Sequence, residues 1–94
     1  MITLRIEHRI ASYDGWRKAF DNDPLNRKQA GVRHFRIYQP KENPDLVIIE
    51  LDFDYLEQAE TMRKTLNQLF PKIEGTLVFG VQVKILNLIE STDL

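Results

Sequence analysis

Ninety-four residues, 43% of them hydrophobic and 29% charged, suit one globular core, and 13 basic against 14 acidic side chains leave a net charge of −1 with no basic field for nucleic acid. The lack of cysteine excludes disulfides, thiolate metal ligands and a thiol nucleophile. No apolar run approaches the roughly 20 residues of a membrane span, and no signal-peptide pattern opens the chain, so one domain over residues 1–94 in the cytoplasm is the expectation.

Ile2, Leu4, Ile6, His8 and Ile10 alternate with Thr3, Arg5, Glu7 and Arg9, the period of a strand with one face on a core. Ser12 can then cap a helix, with Asp14 near its positive end. Tyr13, Trp16 and Phe20 fall at i, i+3 and i+7, with Ala19 beside them, which predicts a buried stripe. Gly15 weakens this helix by about 1 kcal/mol relative to alanine. Asp23-Pro24 breaks or bends it, and Asp23 as cap with Pro24 at the first position predicts a short second helix reaching Ala30, closed by Gly31.

Val32 to Gln39 reads as a second strand, with Phe35 and Ile37 on one side and His34, Arg36 and Tyr38 on the other. The turn formers from Pro40 to Asp45 make a hairpin loop, and Leu46 to Phe53 is the most β-prone segment of the chain. Asp54 followed by Glu57 resembles a capping box for a helix over Tyr55 to Phe70, carrying Leu56, Ala59, Met62, Leu66, Leu69, Phe70 and Ile73 at helical spacing. Either Pro71 or Gly75 ends it. The stretch 73–80 fits a loop, a helical turn or an early strand, and Gln82 to Glu90 reads as the last strand.

Strand, helix, strand, strand, helix, strand with right-handed crossovers gives an α+β fold. It is the ferredoxin-like βαββαβ arrangement, a four-stranded antiparallel sheet with both helices on one face. The face the helices leave open carries Thr3, Arg5, Glu7, Arg9, His34, Arg36, Tyr38, Glu50, Asp52 and Lys84, joined by Ile48, Leu86 and Leu88. Apolar side chains mixed with both charge signs suit a partner-facing surface. The expected dimer interface comprises Arg5, Glu7, Arg36, Tyr38, Ile48, Glu50, Lys84, Leu86 and Leu88, with Arg5, Arg36 and Lys84 pairing Glu7 and Glu50 within or across subunits.

His8 is the anomaly in its row of isoleucines and leucines. A buried imidazole needs a partner for at least one nitrogen, and burial favours its neutral form. With Trp16 and Phe20 above it, His8 would line an apolar pocket with one polar handle; the bland reading is a core-edge histidine bonded to backbone. His8 and His34 point to opposite faces and cannot share a metal, no ligand-spaced cluster exists, and a Gly-rich phosphate loop and a nucleophile elbow are absent. No metal and no cofactor are expected.

The run from His8 through Tyr13-Asp14-Gly15-Trp16-Arg17-Lys18-Ala19-Phe20, then Gly31-Val32-Arg33, Asn43-Pro44-Asp45 and Glu50-Leu51-Asp52-Phe53-Asp54, resembles the dimeric α+β barrel superfamily, which includes antibiotic-biosynthesis monooxygenase-like proteins. The resemblance covers Ile2 to Leu69 well and the last quarter poorly. It implies a homodimer whose two sheets face each other and a pocket between helices and sheet, but no particular reaction. Members that resemble it as cofactor-free monooxygenases use polar groups to place an aromatic substrate and oxygen, for which Asn67, Trp16, Tyr38 and His8 are the available analogues here. Haem-degrading members place an axial histidine on the second helix, where this sequence has none. A small-molecule-binding dimer, a cofactor-independent oxygenase or cyclase-like enzyme acting on an apolar aromatic compound, and a structural dimer with a filled interior all stay open.

Overall fold

In the computed structural model, which describes residues 1–94, strand β1 (Ile2–Ile10) leads into helix α1 (Tyr13–Asp21), then β2 (Val32–Tyr38), β3 (Leu46–Phe53), helix α2 (Leu56–Ile73) and β4 (Val78–Asn87). The four strands form one antiparallel sheet in the order β2-β3-β1-β4. This is the ferredoxin-like βαββαβ fold. Leu4, Ile6, Ile10, Val47, Ile49, Leu51 and Phe53 project from one side of the sheet and join Trp16 of α1 and Ala59, Met62 and Leu66 of α2 in a common core. No helix is long and apolar enough to cross a membrane.

Ser12 caps α1 as expected, its Oγ accepting from the Gly15 backbone N–H at 3.1 Å. Of the aromatic stripe only Trp16 is fully buried; Phe20 is half-buried and Tyr13 lies largely exposed on the outer flank of the helix. The short helix expected up to Ala30 does not form. Asp23 and Asn26 both take left-handed backbone angles (φ 51°), which Asp and Asn tolerate better than most residues and which interrupt any helical repeat. A chain of turns results. The Asp23 carboxylate accepts from the Arg27 backbone N–H at 3.0 Å, doing locally what a helix cap would do. Gly31 closes the loop in the left-handed region (φ 101°), where a Cβ would also stand 2.5 Å from the Gln58 side chain.

The second helix is capped one residue later than the sequence suggests. Tyr55 is the boundary residue, its N–H donating to Gln58 Oε1, so Gln58 rather than Glu57 supplies the returning side chain. Pro71 lies inside α2, which runs on to Ile73 before Gly75 turns left-handed (φ 88°). The last strand starts four residues before its expected beginning and stops at Asn87, leaving Leu88 to Glu90 outside it. The early strand is thus the alternative realised at the end of 73–80, and Gly80 interrupts its period: at φ 64° it lies in a bulge that sets two residues against His8, so pairing passes from Glu7–Gln82 to Arg9–Phe79. The regular alternation of Val81, Val83 and Ile85 does not extend back across that bulge. Glu74 holds it, accepting from the Gly80 N–H at 2.7 Å.

Candidate functional site

Between α1, α2 and the covered side of the sheet lies a cavity of about 100 Å³ that opens to solvent on one side. Its floor is Ile6, His8, Ile49 and Leu51, and Trp16, Phe20, Leu25, Phe70 and Leu77 are among its walls. An engineered cavity of about 150 Å³ holds benzene. A single ring therefore enters here only as the half-buried outer wall of Phe20, Leu25, Phe70 and Leu77 gives way.

The cavity has one polar group at its base. His8 is 2% exposed, with Trp16 and Phe70 rings at 6.1 and 6.2 Å. Its Nδ1 lies 3.2 Å from the Arg9 carbonyl oxygen, which can only accept, so Nδ1 carries the proton. Burial holds the imidazole pKa below its ordinary value, against weaker upward pulls from the Arg9 carbonyl and Glu74. The neutral ring therefore keeps its lone pair on Nε2, which has no protein partner. An unpaired acceptor in an apolar cavity suits a hydrogen-bond donor from a ligand.

Trp16 and Phe20 line the cavity together with His8. Their rings stack at 5.2 Å, and Phe20 meets Phe35 edge-on at 5.2 Å. The other available analogues do not join them. Asn67 is exposed on α2, beside an open cleft with Arg63 and Glu74, and Tyr38 belongs to the far face of the sheet. Sequence reasoning missed Arg27, which lines the cavity, because the segment that carries it reads as a helix.

The uncovered face holds a second constellation. Arg36 donates from Nη1 and Nη2 to the two oxygens of Asp52 at 2.7 and 2.8 Å, and from Nε to Glu50 at 2.9 Å. Thr3 donates to Asp52 at 2.8 Å, and Tyr38 donates to Glu50 at 3.2 Å. His34 Nδ1 lies 3.0 Å from Arg36 Nη1 and 3.4 Å from Asp52. Asp52 is 4% exposed although no helix covers it, and its hydrogen bonds from Arg36, then from Thr3, hold its carboxyl below the usual carboxylate range. The bonds to Asp52, and next to Glu50, raise the Arg36 pKa further. Arg5 stands 3.6 Å from Glu7 on the same strand, while Lys84 takes no ion-pair partner within the chain. Tyr38, Leu86 and Leu88 are exposed and Ile48 is half-buried. Asp52 and Thr3, absent from the expected interface residues, are the enclosed centre of this face; the β1–β3 register that sets them opposite each other is what identifies them.

No family model matches the sequence. No curated protein sequence matches it either. Solved structures do match in fold. A Deinococcus radiodurans protein described as a candidate antibiotic biosynthesis monooxygenase aligns over 100% of this chain and 98% of its own, with a TM-score of 0.68 and 12% identity. A dimeric ferredoxin-like protein from an uncultured marine organism aligns over 100% of both chains (TM-score 0.67, 10% identity). A variant of MhuD with two manganese protoporphyrin IX molecules bound per active site covers 99% of both (TM-score 0.68, 9% identity). The chain thus shares the ferredoxin-like architecture of monooxygenase-like and dimeric proteins over its full length, including the last quarter where sequence resemblance fades.

Proposed function

We propose that the protein is a homodimer that binds a small apolar molecule in the cavity beneath Trp16, the ligand donating one hydrogen bond to Nε2 of His8. The observation that carries this reading is the buried imidazole itself: one nitrogen committed to backbone, the other unpaired, in an otherwise apolar floor. No side-chain nitrogen or oxygen is sealed away without a partner, so Nε2 opens into the cavity, where a ligand donor can reach it in place of water. The dimer is supported by the open face, where Tyr38, Ile48, Leu86 and Leu88 stand among satisfied charges. The fold neighbour described as a dimer gives it precedent.

Trp16 is the only tryptophan of the chain, so its fluorescence reports on the cavity directly. Titration with a small phenol should give a saturating change in wild type and at least tenfold weaker binding in His8→Leu. Equal affinity in the two proteins would remove His8 from the site. Sedimentation equilibrium at micromolar concentration should show a dimer, and a monomer at every concentration would end that part of the reading.

A second reading rests on the same imidazole, whose Nε2 has no protein partner at the floor of the cavity. Nε2 would take the proton of a phenol or an activated C–H, and the substrate anion would be oxidised by molecular oxygen, one oxygen atom entering the substrate as a carbonyl and the other leaving as water with the two substrate hydrogens. Oxygen uptake that depends on both ligand and His8 supports a cofactor-independent oxygenase; binding without uptake leaves a binding protein.

A further inference from the structure

Only two polar side chains line the cavity, His8 and Arg27. They stand at opposite ends of an aromatic row in which His8 meets Trp16 at 6.1 Å, Trp16 stacks on Phe20 at 5.2 Å, and the Arg27 guanidinium lies 3.8 Å over the Phe20 ring. Arg27 is not a surface arginine, its side chain being 14% exposed. Two left-handed residues and the Asp23 carboxylate on its backbone N–H turn the loop so that it reaches inward. Nη1 donates to the Phe20 carbonyl at 2.9 Å and stands 3.4 Å from Asp23 Oδ1. The Nε–H and Nη2–H donors have no acceptor in the protein.

Taking the cavity as a ligand site, as above, we propose that Arg27 receives the anionic end of the ligand, which is a small apolar acid with its carboxylate at Arg27 and its hydrogen-bond donor at His8. A guanidinium carries a positive charge, and an open pair of its donors matches a carboxylate in bidentate geometry. Asp23 fixes both the size and the kind of the effect. Its negative charge offsets part of the field of Arg27, so the gain is moderate, and it opposes a phosphate dianion more than a carboxylate monoanion.

Two probes of matched shape test this by Trp16 fluorescence: 4-hydroxyphenylacetate, and 4-ethylphenol, which lacks the charge. Wild type should bind the acid about tenfold more tightly, a difference of about 1.4 kcal/mol, and added salt should shrink the preference. Arg27→Gln should bring the acid down to the level of the phenol while phenol affinity stays within about twofold, and Arg27→Lys should retain part of the preference. Equal affinities for the two probes in wild type, or equal weakening of both in Arg27→Gln, would overturn the assignment while leaving the cavity a ligand site. Failure of both probes to saturate in wild type would remove the ligand site and this assignment together. Should Arg27→Gln not fold, the wild-type preference and its salt dependence decide alone.

Discussion

Alternate residues of the same strands build two surfaces that satisfy burial by opposite means. On one side of the sheet, Leu4, Val47 and Leu51 are sealed by the helices, and the only polar intruder from β1, His8, is neutral. On the other, Asp52 and Thr3 are also buried, but they bond each other, and Arg36 from the strand next to Asp52 closes over its carboxylate. A dry face needs only shape to be stable, and loses hydrophobic burial and packing when shape is lost. A charged face needs every partner present, since a single deletion strands a buried charge. The two faces should therefore fail differently.

The largest effect belongs to the dry face. Leu51→Ala should destabilise folding by roughly 3–4 kcal/mol in urea denaturation, as the transfer loss and the void add. Ile48→Ala, three residues away on the other face, should cost well under half as much at protein concentrations low enough to keep the chain monomeric. Equal costs would break the contrast. Next comes Arg36→Ala, which leaves the Asp52 carboxylate enclosed without its guanidinium, for about 2–3 kcal/mol. The signature is the rescue: Arg36→Met combined with Asp52→Leu should be more stable than Arg36→Ala alone. A double substitution at least as unstable as the single one would mean that shape, not charge, holds this face too.

The contrast also explains what the sequence discloses and what it hides. The apolar and polar rows of β1 and β3 are legible because alternation survives where one face is buried, and β3 is found at its observed boundaries. His8 stands out for the same reason. Arg27 is invisible because two non-glycine residues adopt positive φ in a stretch whose Asp-Pro start imitates a helix. The start of β4 is hidden by Gly80, since a bulge shifts the period and leaves no compositional trace beyond one glycine. The polar network was half legible. Arg36 with Glu50 follows from alternation, whereas the stronger tie to Asp52 depends on register, which propensity does not set.

Acid should separate the two faces without any substitution. The pKa of His8 is lowered by burial, so the unfolded chain binds a proton first and stability falls as pH drops below about 6.5, by at most about 1.4 kcal/mol per unit. Asp52 is also lowered, by its bonds to Arg36, but its unfolded counterpart titrates near 3.9, so its contribution holds above that value and is lost below it. A stability profile should thus descend in two limbs. His8→Leu should flatten the first, which begins as pH falls below about 6.5, and leave the second; persistence of the first limb in that variant would assign it to another group.

The smallest effect tests whether the open face is an interface. Arg5 and Glu7 are more than a third exposed and 3.6 Å apart, a geometry worth about 0–0.5 kcal/mol in a monomer because solvent and salt screen it. Arg5→Ala should accordingly leave urea unfolding of the dilute chain unchanged. Arg5 shares a groove with Leu86 and Ile48, so in a dimer built through this face its guanidinium would lie where water is reduced and a lost partner is felt more strongly. Sedimentation should then show a dimer several-fold weaker in Arg5→Ala, with its deficit shrinking as salt is added. A variant that matches wild type in both folding and association would show that Arg5 faces solvent, and would confine the interface to the apolar residues around it.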